Sequence, residues 1–138
     1  MADYFLPTTG RQNLNLDHIN IAAPGPLLEK VKAFYCLVFE LEEGFRPSFS
    51  SAGYWLYADS SPLIHLSESD RHQRAAQRGH LDHVAFRADG QEAMMQRLAD
   101  AGVTFLVDHV PELNMTQLFF EDPAGNGLEA NFIAESPA

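Results

Sequence analysis

The tetrapeptide Leu16-Asp17-His18-Ile19 returns further along the chain as Leu81-Asp82-His83-Val84. In a chain of 138 residues, such a repeat marks two copies of one supersecondary unit, each too small to bury its own apolar side alone. A second potential ligand follows each copy near the end of a β-like segment. These segments are Leu63-Ile64-His65-Leu66 and Gly127-Leu128-Glu129-Ala130, so the step from His18 to His65 nearly equals the step from His83 to Glu129. A unit that repeats its ligand-type side chains at nearly equal spacing is expected to gather them around one shared site. A histidine alone on a strand carries no such meaning.

Between the paired motifs the hydrophobic period changes in the same order twice. Residues 14–22 alternate, with Ile19 and Ile21 on one face and His18 and Asn20 on the other, as a half-covered strand does. Pro24-Gly25-Pro26 interrupts, and from Leu27 to about Glu40 the residues Leu28, Val31, Phe34, Tyr35 and Val38 recur at helical spacing. Strands are predicted at 43–49, 53–58 and 62–67, divided by Ser50-Ser51 and Asp59-Ser60-Ser61-Pro62. The second copy reads as strand 81–88, helix 90–101 ended by Gly102, and strands 103–109, 115–121 and 127–133. A turn, Asp122-Pro123-Ala124-Gly125-Asn126-Gly127, joins the last two. The fold class is therefore α+β, a single domain over 1–138 built from two βαβββ modules, 14–67 and 81–134. A polar connector, 68–80, joins them. Each sheet has one face under a helix and one polar face, and two such curved mixed sheets turned toward each other would enclose a metal-centred cavity.

Three histidines and one glutamate suit zinc, nickel, cobalt, manganese or iron, since all accept imidazole nitrogen beside carboxylate oxygen. His18, His65, His83 and Glu129 are the candidate metal ligands. Asn20, Arg87 and Asn131 follow ligands on the same faces, and Trp55, Tyr57, Gln117 and Phe119 lie on the neighbouring strands, so these seven are the candidate substrate pocket. Arg87 is the expected anion clamp, because a guanidinium grips a carboxylate with two parallel hydrogen bonds. His72, His80 and His109 read as surface residues, and Cys36 as a small apolar residue of the first helix. The chain carries a formal charge of -10 and only nine Lys and Arg, which argues against a nucleic-acid partner or an anionic membrane surface. A lone cysteine and the lack of a long apolar run predict an unstapled cytoplasmic protein.

Leu16-Asp17-His18, Leu81-Asp82-His83-Val84-Ala85-Phe86 and Phe120-Glu121-Asp122-Pro123-Ala124-Gly125-Asn126-Gly127-Leu128-Glu129 together resemble the vicinal oxygen chelate superfamily. This is the glyoxalase, bleomycin-resistance and extradiol-dioxygenase group, and the resemblance spans about residues 14–134. It implies that His18 and His65 come from one module and His83 and Glu129 from the other, around an open divalent-metal site with Glu129 and His65 as the catalytic pair. It also implies a homodimer with sites shared between subunits. The expected activity is isomerase or lyase chemistry on a small substrate with vicinal oxygens, through a metal-stabilised enediolate. Two alternatives stand beside it. One is an Fe(II) extradiol-type dioxygenase using His18, His83 and Glu129 as a facial triad; the other is a non-enzymatic drug-binding protein of the bleomycin-resistance type. His65 stands where glyoxalase I enzymes usually hold Glu and where methylmalonyl-CoA epimerases hold Gln.

Overall fold

The computed structural model describes residues 14–73 and 77–134. The first module runs β1 (Ile19–Ala23), α1 (Gly25–Val38), β2 (Glu42–Gly44), β3 (Gly53–Ala58) and β4 (Ser61–Glu68). The second runs β5 (His83–Arg87), α2 (Gln91–Asp100), β6 (Leu106–Val110), β7 (Met115–Glu121) and β8 (Gly127–Ile133). Each module forms one four-stranded mixed sheet, ordered β1-β4-β3-β2 and β5-β8-β7-β6. The first strand of each module pairs in parallel with the last, and the remaining pairs are antiparallel. The expected βαβββ duplication is thus present.

Where the elements depart from the sequence reading, proline and side-chain hydrogen bonds explain the difference. Pro24-Gly25-Pro26 opens α1 two residues early, because the first turn of a helix has no use for the missing proline N–H. Strand β1 begins at Ile19 rather than residue 14. Its ladder with β4 starts at Ile19↔Ile64, and Pro62 offers no N–H to extend it. Strand β2 has three residues instead of seven, since Tyr57 Oη takes the Phe45 carbonyl and Pro47 cannot donate to a ladder. Strand β6 starts late, at Leu106, because α2 ends in a Schellman turn, with Val103 N–H bonded to Leu98 O and Gly102 N–H to Ala99 O. Gly102 supplies the left-handed residue that this turn requires. A 3-10 turn, Pro111–Leu113, joins β6 to β7 and has no counterpart in the sequence reading.

One apolar core joins both modules. Ile21, Ile64, Leu66 and Leu56 of the first sheet bury against Leu28, Val31, Phe34, Tyr35 and Val38 of α1. Leu118, Phe120, Leu128, Ala130 and Phe132 of the second sheet join the same cluster, with Met94 and Leu98 of α2. The end of α1 lies at the join. Between ring centres, Phe34 sits 6.2 Å from Phe120, and Phe39 sits 4.9 Å from Phe86 and 5.9 Å from Phe120. Polar bonds fix the register of this contact. Tyr35 Oη donates to Asp122 Oδ2 at 2.7 Å, and Arg97 Nε donates to the Val38 carbonyl at 3.0 Å. No helix among the described residues is long and apolar enough to cross a membrane.

Asp122 also accepts from the Ala124 and Asn126 amides and from Asn126 Nδ2, so its carboxylate holds the β7–β8 turn as well as the module contact. Tyr35→Phe, which removes one bond and keeps the ring, should cost about 1 kcal/mol of unfolding free energy. Asp122→Ala strands four donors and should cost about 3 kcal/mol. Urea unfolding of the two variants would check this order; equal costs would show that the carboxylate's turn contacts contribute nothing.

Candidate functional site

Alternation puts the candidate site on the faces turned away from the helices. On β1 Ile21 is buried while Asn20 is exposed, and on β8 Leu128, Ala130 and Phe132 face the core, so Glu129 and Asn131 face the other way. The ladder registers match between the two modules. His18 precedes Asn20, which pairs with His65; His83 precedes Ala85, which pairs with Glu129. One strand inward, Trp55 lies opposite His65 and Phe119 opposite Glu129. His65 and Glu129 are equivalent positions filled by different chemistry.

In the second module the geometry suits a cation. His83 Nδ1 donates to Asp82 Oδ2 at 2.9 Å, which leaves Nε2 as the outward nitrogen. Gln117 Nε2 donates to Glu129 Oε2 at 3.0 Å, which leaves Oε1 free of that bond. His83 Nε2 and Glu129 Oε1 lie 3.4 Å apart, too far for a good hydrogen bond. Two donor atoms each about 2.1 Å from a tetrahedral ion stand about 3.4 Å apart. The pair therefore has the spacing of two ligands of one ion without rearrangement. Arg78, from the connector, reaches Asp82 Oδ1 at 3.3 Å and Glu121 Oε2 at 2.7 Å. It thereby steadies the carboxylate that orients His83. The hydrogen bond from His83, and then that from Arg78, hold the Asp82 carboxyl below its usual range.

The first module repeats the orienting contact and then diverges. His18 Nδ1 donates to Asp17 Oδ2 at 2.6 Å, again leaving Nε2 outward. The His18 ring stacks on His65 at 3.7 Å between centres with 9° between planes, and His65 stacks on Trp55 at 4.0 Å and 15°. A ligating imidazole holds its ion close to its own ring plane, and parallel planes this far apart share no such point. In this arrangement His18 and His65 cannot ligate one ion. His65 Nε2 donates to the Pro62 carbonyl at 3.0 Å, which makes Nδ1 its free nitrogen. Burial first, and then the neighbouring His18, hold the His65 imidazole below the ordinary histidine range, so it is neutral at pH 7.

The remaining pocket candidates divide by module. Asn20 Oδ1 accepts from Ser67 Oγ at 3.0 Å, and Tyr57, on the Trp55 face, uses its hydroxyl to hold Phe45 O at 2.6 Å. Arg87 ends β5 opposite Asn131, whose Oδ1 is buried without a hydrogen-bond partner among the described residues. Among the described residues, no group of three or more His, Cys, Asp or Glu side chains is gathered to hold one ion, so the two pairs are not joined into one set. A crevice of about 310 Å³ between β1 and β5 is lined by Asn20, Arg78, Asp82, His83 and Asn126, bringing both modules to one edge. His72, His80 and His109 are exposed, and Cys36 is half-buried with its thiol pushed up by burial. Sequence reasoning missed Asp17, Asp82 and Arg78 as orienting groups. The aspartate is visible as the repeated middle of Leu-Asp-His; nothing distinguishes Arg78 from its charged neighbours.

The chain belongs to the Glyoxalase/Bleomycin resistance protein/Dioxygenase superfamily, whose family model matches residues 15–130. Among solved structures, a glyoxalase family protein from Bacillus anthracis is 25% identical with a TM-score of 0.70, covering 97% of this chain and 100% of its own. A glyoxylase/bleomycin resistance protein/dioxygenase domain from Frankia sp. EAN1pec is 21% identical with a TM-score of 0.71, covering 89% and 100%. A genomically encoded fosfomycin resistance protein, FosX, from Listeria monocytogenes, complexed with Mn(II) and sulfate ion, is 19% identical with a TM-score of 0.64, covering 87% and 93%. No curated protein matches the chain.

The stacked environment of His65 has a spectroscopic consequence. In an NMR titration its ring resonances should move below the ordinary histidine range, because desolvation disfavours the charged form. Trp55→Ala admits water to one ring face and should shift that midpoint upward. An unchanged midpoint in the variant would show that Trp55 is not what keeps the ring dry.

Proposed function

We propose that the chain is a divalent-metal-dependent enzyme of the glyoxalase type, with isomerase or lyase chemistry on a small substrate carrying adjacent oxygens. The observation that carries this reading is the 3.4 Å separation of His83 Nε2 and Glu129 Oε1, each group already held on its other side by Asp82 or Gln117. His83 and Glu129 of one copy, with His18 of a second copy, make a three-donor set suited to zinc, nickel, cobalt, manganese or iron, with positions left for water or substrate. That FosX was crystallised with Mn(II) is consistent with this donor chemistry in a related fold. A divalent ion held there supplies Lewis-acid polarisation of a substrate oxygen.

The protein groups around it carry the proton and the orientation. His65 is neutral, and Nδ1 is its unengaged nitrogen, so it serves as the proton acceptor beside the set rather than as a fourth ligand. Gln117 keeps Oε1 of Glu129 turned toward His83. Trp55 and Phe119 give the cavity apolar walls, and Asn20, Arg87 and Asn131 give it polar contacts. Sharing between two copies is supported by the separation of the two pairs within one chain. It is also supported by Leu16 and Leu81, which occupy equivalent places in the repeat and are both largely exposed, as apolar residues awaiting a partner are.

Elemental analysis of protein purified without chelator should find about one transition-metal ion per chain. His18→Ala, His83→Ala and Glu129→Ala should each lose it, Asp82→Asn should weaken it by about 10- to 100-fold, and His65→Ala should retain it while losing turnover. Metal-free protein that still binds aromatic compounds tightly would replace this reading with a sequestering one.

A further inference from the structure

After β2 the chain does not continue the sheet; residues 45–52 fold back over the face that carries His65. Tyr57 Oη holds the Phe45 carbonyl, and Arg46 Nη1 donates to the Ser51 carbonyl at 3.0 Å. The Arg46 guanidinium lies 4.9 Å from the Phe49 ring centre, and Phe49 lies 6.1 Å from Trp55, which stacks on His65. Beneath the guanidinium is Gly53, on the same face as Trp55. A Cβ there would come within 2.9 Å of Arg46 Nη2 and within 2.0 Å of the Leu66 carbonyl oxygen, so only glycine leaves room for this arrangement.

Arg46 Nε is buried and has no hydrogen-bond partner among the described residues, and among them no carboxylate pairs with the guanidinium. An enclosed guanidinium N–H without an acceptor is a cost that folding alone leaves uncompensated. In a chain of net charge -10, acidic side chains are plentiful, yet this cation is kept apart from them beside the candidate site. Nε and Nη2 form the side-on edge of the guanidinium, the edge that grips two oxygens of one anion.

We propose that Arg46 is a binding residue for an oxyanion of the ligand, a carboxylate or phosphonate carried by a molecule whose flat part lies along Phe49 and Trp55. This assignment rests on the reading that this sheet face lines the substrate cavity. It moves the anion clamp from Arg87 to a position that the repeat does not contain. Because Nε is enclosed, the oxyanion engages it only as the Arg46 side chain shifts to meet it, and a ligand seated along Phe49 changes the surroundings of Trp55, the only tryptophan of the chain.

Trp55 fluorescence therefore reads the event directly. Benzoate, phenylphosphonate and neutral benzamide are titrated into the metal-loaded protein, and again after chelation and desalting. Both anions should bind at least about tenfold more tightly than benzamide, with and without metal. Arg46→Gln should abolish that preference, and Arg46→Lys should restore part of it while losing the side-on fork. Equal binding of the anions and benzamide, no Trp55 response to any probe, or a preference unchanged in Arg46→Gln would overturn the proposal. A preference that vanishes with the metal would assign the anion to the metal site and also overturn it. Metal stoichiometry measured on the metal-loaded samples separates the two readings: anion selectivity in protein that takes up no metal on loading sinks the metal site alone, and bound metal without selectivity sinks the Arg46 site alone.

Discussion

The bond from the Tyr35 hydroxyl to the Asp122 carboxylate, 2.7 Å long and buried, is the point on which the relation of the two modules depends. It ties the first module's helix to the turn that launches β8, and seven residues after Asp122 stands Glu129. Burial first, and then the neighbouring Asp122, push the Tyr35 hydroxyl well above the ordinary tyrosine range, so it remains a hydrogen-bond donor at neutral and alkaline pH. The buried Asp122 carboxylate already accepts from four donors, which leaves it little capacity for a competing partner. The helix-side faces of both sheets are consumed in this contact. What remains for chemistry is the opposite face of each.

On those faces duplication has preserved geometry while chemistry diverged. Asp17 with His18 and Asp82 with His83 are the same device, a carboxylate on Nδ1 that presents Nε2 outward. The partner position on the closing strand then differs. Glu129 offers an oxygen at ligand distance from its histidine, whereas His65 offers a ring that stacks between His18 and Trp55. One module thus presents two donors to a cation, and the other presents one donor backed by a neutral imidazole. An asymmetric pair of faces follows from a symmetric scaffold, with the proposed metal on one side and the proposed proton acceptor on the other.

Most of this architecture was legible in the sequence because it depends on local period. Strands β3, β7 and β8 fall at the residues that alternation marks, and Gly102 ends α2 where a left-handed residue was required. The short β2 was not legible. Phe45 and Phe49 keep the strand's alternation, and only the capture of the Phe45 carbonyl by Tyr57, a partner well along the chain, takes these residues out of the sheet. The same holds for the site. The repeat exposed the four titratable residues and their pairing, yet the stacking of His18 on His65 depends on ring orientation, which spacing cannot encode. Arg46 and Arg78 were unreadable for a related reason, since Arg46 takes its place from a turn that leaves the sheet and Arg78 from an acid distant in sequence.

If His18 of one copy and Glu129 of another serve the same ion, complementation shows it most directly. His18→Ala and Glu129→Ala proteins, each unable to hold metal, are mixed through reversible dissociation and reassociated. With a shared site, each mixed dimer has one place where both residues are intact, so random pairing restores metal to about one quarter of all sites. With a site closed within each chain every copy remains defective, and recovery of no metal above that of the separate variants would contradict the shared site.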